Sequence, residues 1–201
     1  MTVDDKRMTL RAELRARRKA LVASERIAAA NGVADTLDQL ADFLVDQRIA
    51  GYWAIDGELP LHVVVANLGR RGQHYCLPRI TGQRQLSFVE WRSGSDLEAN
   101  RYGIPEPVCT ASDLIPAQAI DIVLLPLLGF DRRGYRIGYG GGYYDASFAF
   151  LGERSEAGSP LLVGVGYAAQ QVASIEPAAW DVRMDYIATE KELIDCWAET
   201  T

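Results

Sequence analysis

The sequence predicts an α/β protein: a single domain over residues 1–201, with three α/β/α layers about a mostly parallel or mixed central sheet. Apolar segments of strand length alternate with helical patterns along the chain, which is the order that places helices on both faces of a sheet. The run 122–128 is continuously apolar, as a strand covered on both faces would be. A length of 201 residues with 48% hydrophobic content is enough for one sizeable core.

Over residues 9–21, Leu10, Leu14 and Leu21 keep to one side of a helix while Arg11, Arg15, Arg18 and Lys19 populate its other faces. Ser24 can cap a second helix reaching about Val45, with Ile27, Val33, Leu37, Leu40 and Leu44 at mostly helical intervals and Gly32 as its weak point. Together they make a basic helical hairpin over about residues 7–46. Residues 49–55 read as a short strand ended by the Asp56-Gly57 turn, and the spacing of Leu61, Val64, Val65 and Leu68 predicts a helix closed by Gly69 and Gly72. Residues 74–80 and 86–91 read as strands, with Pro78 near the end of the first. After 122–128, Tyr144, Phe148 and Leu151 mark a helix, 161–165 another strand and 184–188 a last one. The polar stretch 152–160 is the longest linker.

Composition excludes several classes. No apolar run approaches the roughly 20 residues of a membrane span, and residues 1–19 lack the apolar stretch of a secretory signal, so no membrane partner and a cytoplasmic address are expected. Cys76, Cys109 and Cys196 are odd in number, far apart and never in a CxxC pair, which points to bystander thiols. The net charge of −6 hides a basic island: residues 6–19 hold seven Lys and Arg against Glu13 alone. His62 and His74 sit in segments explained by packing or surface and take no role.

Chemistry concentrates in residues 129–145, GFDRRGYRIGYGGGYYD, between a buried strand and a helix. Glycines there let backbone N–H groups converge on an anion, and the helix N-terminus adds partial positive charge, so phosphate is the natural occupant. Arg136 adds a fixed cation, Tyr143 and Tyr144 offer stacking faces and hydroxyls, and Asp145 can hold Mg²⁺ near bound phosphates. The competing reading is a tight glycine turn with Asp145 as a cap. Gly164, Gly166 and Ala169 satisfy GxGxxA after a strand, with Asp185 suitably downstream, but too little chain follows for the βαβ units of a dinucleotide site.

The string PLLGFDRRGYRIGYGGGYYD at 126–145 resembles the signature of 5-formyltetrahydrofolate cyclo-ligases, also called 5,10-methenyltetrahydrofolate synthetases. The basic N-terminal helix, a Glu after the first strand, the Leu-Pro-Arg-Ile strand, Gly103-Ile104-Pro105-Glu106-Pro107 and a late Asp agree in order, so the resemblance spans nearly the whole chain. It implies ATP-dependent conversion of 5-formyltetrahydrofolate to 5,10-methenyltetrahydrofolate, with Mg²⁺, on a three-layer fold. By resemblance, Arg7, Arg11, Arg136, Gly138, Tyr139, Gly140, Gly141, Gly142, Tyr143 and Tyr144 bind ATP. Arg11, Trp53, Glu58 and the stretch Tyr139, Gly140, Gly141, Gly142 and Tyr143 contact the folate; Asp145 and Asp181 hold the metal; Arg136 and Tyr143 act in catalysis. The chain departs from the family where Arg7 stands for a frequent Lys, with Lys6 one residue away, and where Gly141 stands for a Lys of some relatives. Asp185, four residues after Asp181, is the alternative metal carboxylate. The implied partners are small molecules, a reduced folate and ATP, with no nucleic acid, for a monomer. Two rivals use the same features: an ATP-independent sugar-phosphate or acyl-CoA enzyme of similar fold, and a nucleic-acid binder acting through the basic helix.

Overall fold

The computed structural model describes residues 3–152, 154 and 156–198; residues 1, 2 and 199–201 of the 1–201 domain and residues 153 and 155 of the 152–160 linker lie outside the described residues. Helices α1 (Val3–Ala20) and α2 (Ala23–Leu37) make the N-terminal hairpin. Only two residues join them, so the N-cap falls at Val22, whose N–H donates to the Glu25 carboxylate at 2.9 Å, and Ser24 lies inside the first turn instead of capping it. The second helix does not run unbroken to Val45. It stops at Leu37 and resumes as α3 (Ala41–Val45), which turns Phe43 into the core and leaves Leu44 exposed. A straight helix would have buried Leu44 in line with Leu37 and Leu40.

Seven strands form one sheet in the order β11-β10-β9-β6-β1-β2-β3. They are β1 (Arg48–Ala50), β2 (His74–Gly82), β3 (Gln85–Glu90), β6 (Ile122–Pro126), β9 (Leu161–Val165), β10 (Tyr186–Ala188) and β11 (Leu193–Asp195). The five inner strands run parallel, and the edge strands β3 and β11 are antiparallel to their neighbours. On the central strand Ile122 and Leu124 face one core and Val123 and Leu125 the other, which is why the run reads as unbroken hydrophobicity. One face is covered by α2, α3 and α4 (His62–Arg71) through Val33, Leu37, Phe43 and Leu68. The other carries α5 (Tyr143–Ser147) and short 3₁₀ turns, with Phe148 and Leu151 packed inward.

Several boundaries differ from the sequence reading. The strand expected over 49–55 ends at Ala50, and the chain then swings out as a loop that the Tyr52 hydroxyl pins by donating to the Leu59 carbonyl at 2.6 Å. The helix expected from Tyr144 to Leu151 is a single α turn followed by a 3₁₀ turn at Ala149–Leu151. The segment 129–137 folds into a hairpin of β7 (Gly129–Phe130) and β8 (Arg136–Ile137), and β4 (Leu97–Ala99) pairs with β5 (Pro105–Pro107). The GxGxxA string belongs to packing: a Cβ on Gly164 would lie 2.9 Å from Leu127, and the segment that follows β9 is a 3₁₀ turn, Ala168–Gln170, where a dinucleotide fold needs a helix.

Helix α1 lies against the end of the hairpin. Leu14 is fully buried with Leu128, Ile137 and Ile175, and a Cβ on Gly129 would sit 2.3 Å from the Leu14 side chain. Gly129→Ala therefore lifts α1 from its seat; urea unfolding should show a loss of about 1–3 kcal/mol, the usual cost of overpacking a filled core.

Candidate active site

The parallel strands end on a common side, and the segments that leave β1, β2, β6 and β8 enclose a cavity of about 1130 Å³. That volume exceeds an ordinary single-ligand pocket and has room for two substrates. The residues that the resemblance assigns to ATP, folate or metal line it, namely Arg7, Arg11, Trp53, Glu58, Arg136, residues 138–144, Asp145 and Asp181, and the alternatives Lys6 and Asp185 do not.

The glycine loop joins β8 to α5 and carries its strain where glycine is needed: φ is +99° at Gly140 and +68° at Gly142, conformations a side chain rarely adopts. Because α5 is one turn long, its dipole contributes little, and the cations around the loop come from elsewhere. Arg11 of α1 donates to the Gly138 carbonyl at 3.0 Å. Arg136 donates to Asp145 at 2.7 Å and to the Val182 carbonyl at 2.9 Å, and the Val182 N–H closes the ring onto the same Asp145 oxygen at 3.1 Å. Arg7 pairs with Asp181 and donates to the Glu176 carbonyl at 2.9 Å.

Within each pair of alternatives the two residues differ in position. Lys6 points to solvent, 3.9 Å from Glu176, while Arg7 faces the cavity. Asp185 is fully buried outside the cavity, where it accepts from Arg154, Trp197 and the Leu162 N–H. Asp181 alone of the two lines the cavity wall. The basic island divides: Arg7, Arg11 and Arg18 make contacts within the molecule, while Lys6, Arg15, Arg17 and Lys19 are exposed.

The loop after β1 supplies Trp53 and Glu58. Trp53 stands partly exposed, edge-on to Trp91 with ring centres 6.1 Å apart. Glu58 is 7% exposed, and its carboxylate accepts the Ile55 N–H at 3.0 Å. Burial pushes its carboxyl up to about 7, against the opposing pull of the Ile55 N–H and Arg18. At the rim, Arg101 donates to the Tyr143 hydroxyl, which lies 2.9 Å from that of Tyr102; the bonds from Tyr102 and Arg101 draw the Tyr143 phenol below its ordinary range.

Sequence reasoning missed Arg18, Asp56, Arg101 and Tyr102. The sequence reading set Arg11 and Arg18 on faces apart from Leu14, whereas Arg7, Arg11, Leu14 and Arg18 recur at helical spacing on one face and Arg18 is buried beside Leu14's side of the helix. The others depend on contacts across tens of residues and left no local signal.

The model of the 5-formyltetrahydrofolate cyclo-ligase family matches residues 3–190. The chain belongs to that family. It is therefore related to enzymes, the ligases of folate metabolism. The 5-formyltetrahydrofolate cyclo-ligase of Haemophilus influenzae is 29% identical over 88% of this chain and 94% of its own length. That of Escherichia coli K12 is 26% identical over 90% and 98%. Among solved structures, the 5,10-methenyltetrahydrofolate synthetase of Aquifex aeolicus superposes with a TM-score of 0.80 at 27% identity, covering 97% of this chain and 95% of that one. The Mycoplasma pneumoniae synthetase shares the fold, with a TM-score of 0.70 at 21% identity over 92% and 99%.

The buried Glu58 carboxyl gives this cyclo-ligase family member a pH signature. A raised folded-state value means stability is fully present below the ordinary value of 4.5 and is lost as pH rises through about 7. Compared with Glu58→Gln, the wild type should lose up to about 3 kcal/mol across that window, read by urea unfolding at several pH values.

Proposed function

We propose that this chain is an ATP-dependent 5-formyltetrahydrofolate cyclo-ligase, forming 5,10-methenyltetrahydrofolate with release of ADP and phosphate. The observation that carries the reading is the single cavity in which three arginines from two distant segments meet the glycine loop beside a buried carboxyl and a partly exposed tryptophan. A cytoplasmic address suits the three unpaired cysteines, two of them buried with thiols raised to about 12 by burial, and we take the chain as a monomer acting on small molecules.

The formyl carbonyl on nitrogen 5 is a weak electrophile, and its oxygen leaves poorly. Transfer of the γ-phosphoryl group to that oxygen releases ADP and turns the oxygen into phosphate ester. Nitrogen 10 then attacks the activated carbon and gives up its proton; the ring closes and the C–O bond breaks to release phosphate. No side chain acts as a nucleophile, so the protein's work is alignment and charge neutralisation. Arg136, held by Asp145 and the Val182 carbonyl, is suited to meet the transferring phosphoryl group, with Arg7 and Arg11 on the remaining phosphates. Tyr143 offers its hydroxyl at the rim, beside Arg101 and Tyr102. Glu58 and Trp53 suit the folate, as hydrogen-bond acceptor for pterin N–H groups and as an aromatic face.

The carboxylates of Asp145 and Asp181 are hard oxygen donors of the kind that would hold Mg²⁺ together with nucleotide oxygens. Among the described residues no group of three His, Cys, Asp or Glu side chains could hold a metal ion, so protein carboxylates alone would not complete its shell and nucleotide oxygens and water would supply the rest. The Asp145 oxygen that takes neither Arg136 nor Val182 would hold it, with Asp181 contributing once Arg7 turns to phosphate. Bound there, it would offset phosphate charge.

Purified protein with 5-formyltetrahydrofolate, ATP and Mg²⁺ should produce the methenyl chromophore, and none without ATP. Arg136→Ala should lower kcat/KM by about 100-fold or more, as loss of an aligned cation does in phosphoryl transfer. No product from a folded wild type would reject the reading.

A further inference from the structure

Arg18 is an anomaly in the core. Its side chain is 1% exposed, yet among the described residues only one of its three nitrogens is partnered: Nη2 donates to Asp56 at 3.0 Å and to the Tyr139 hydroxyl, while Nε and Nη1 find no acceptor there. A buried guanidinium satisfied at one nitrogen stabilises a fold less than an apolar residue of the same volume would. Its position therefore calls for a reason other than stability.

The partners supply one. Tyr139 belongs to the glycine loop and Asp56 to the loop that presents Trp53 and Glu58, and the two are also 3.4 Å apart through the Tyr139 hydroxyl and the Asp56 carboxylate. Arg18 and Arg15 stack over the Tyr139 ring at 5.4 and 5.2 Å. Asp56 holds a left-handed backbone, φ +47°, in the turn that leads to Glu58. Arg26 of α2 straps the same turn, donating to the Gly57 carbonyl at 3.1 Å and to the Arg18 carbonyl at 2.8 Å.

We propose that Arg18 is a positioning residue: through Asp56 and Tyr139 it locks the loop carrying Trp53 and Glu58 to the glycine loop, and so sets affinity for the folate in preference to that for ATP. Arg18 itself does not line the cavity and acts only through these partners. The proposal rests on the cyclo-ligase reading, which wild-type turnover tests on its own.

The test measures KM for 5-formyltetrahydrofolate and for ATP, with thermal midpoints, in Arg18→Lys, Asp56→Asn, Tyr139→Phe and the Arg18→Lys/Asp56→Asn double variant. Lysine keeps the charge but cannot reach both partners with one nitrogen fork, and asparagine tolerates the left-handed backbone. Arg18→Lys and Asp56→Asn, both outside the cavity lining, should each raise the folate KM by about five- to tenfold while the ATP KM moves less than about twofold; Tyr139→Phe, within both binding stretches, should raise the folate KM more than the ATP KM, and the double variant should add little to the Arg18→Lys effect. Asp56 and Tyr139 are partly exposed, so their variants stay informative if Arg18→Lys fails to fold. Equal rises in both KM values, or lowered melting with unchanged KM values, would overturn the proposal. Should the wild type not turn over, folate titration of the tryptophan fluorescence gives the same comparison and separates failure of the reaction assignment from failure of this one.

Discussion

The contact on which the site depends is the burial of Leu14 against Gly129. It seats α1 on the β7–β8 hairpin, at a spot where a methyl group on residue 129 would collide with the leucine. Leu14 shares that small core with Leu128, Ile137 and Ile175, so three segments remote in sequence meet there. The helix face that carries Leu14 also carries Arg7, Arg11 and Arg18, about one to two turns away along the axis. Seating one leucine thereby delivers three guanidiniums to the glycine loop and its neighbours.

This arrangement explains the uneven charge of the chain. A protein of net charge −6 would repel polyanionic ligands if its cations were spread evenly. Seven of the 21 Lys and Arg lie on α1, and three of these, Arg7, Arg11 and Arg18, turn to the cavity and the loops beside it. The carboxylates that accompany the arginines, Asp181 with Arg7 and Asp145 with Arg136, hold the guanidiniums in defined orientations and keep their burial tolerable.

The parts of the site that could be read from sequence are those carried by contiguous chain. Residues 136–145 form a motif in which each glycine and its neighbours lie in one loop, and Arg7 and Arg11 are related by a single helical turn. The central strand was legible because its two buried faces leave no polar interruption between Ile122 and Leu125. What escaped had no local signature. The Arg18–Asp56 pair spans 38 positions and the Arg101–Tyr143 bond 42. The hairpin β7–β8 has two residues in each strand, too few for any periodicity to show. The break between α2 and α3 is decided by which of Phe43 and Leu44 fits the core, a question of packing shape that hydrophobic spacing does not contain.

A site assembled in this way links function to folding. Arg7 and Arg11 come from the first helix and Arg136 from the hairpin more than a hundred residues later, so the cation cluster exists only while α1 is seated. On the proposed reaction, a nucleotide that bridges those arginines binds the seated form and hardly at all the unseated one, and by mass action it holds the helix down. The folate does the same through the loop that Arg18 and Asp56 tie to Tyr139. Both substrates therefore strengthen the same α1 contact from different sides, and each makes the geometry that the other requires more fully populated. For a reaction that uses no protein nucleophile and depends on bringing a formyl oxygen in line with a phosphoryl group, that shared helix is the element on which alignment rests.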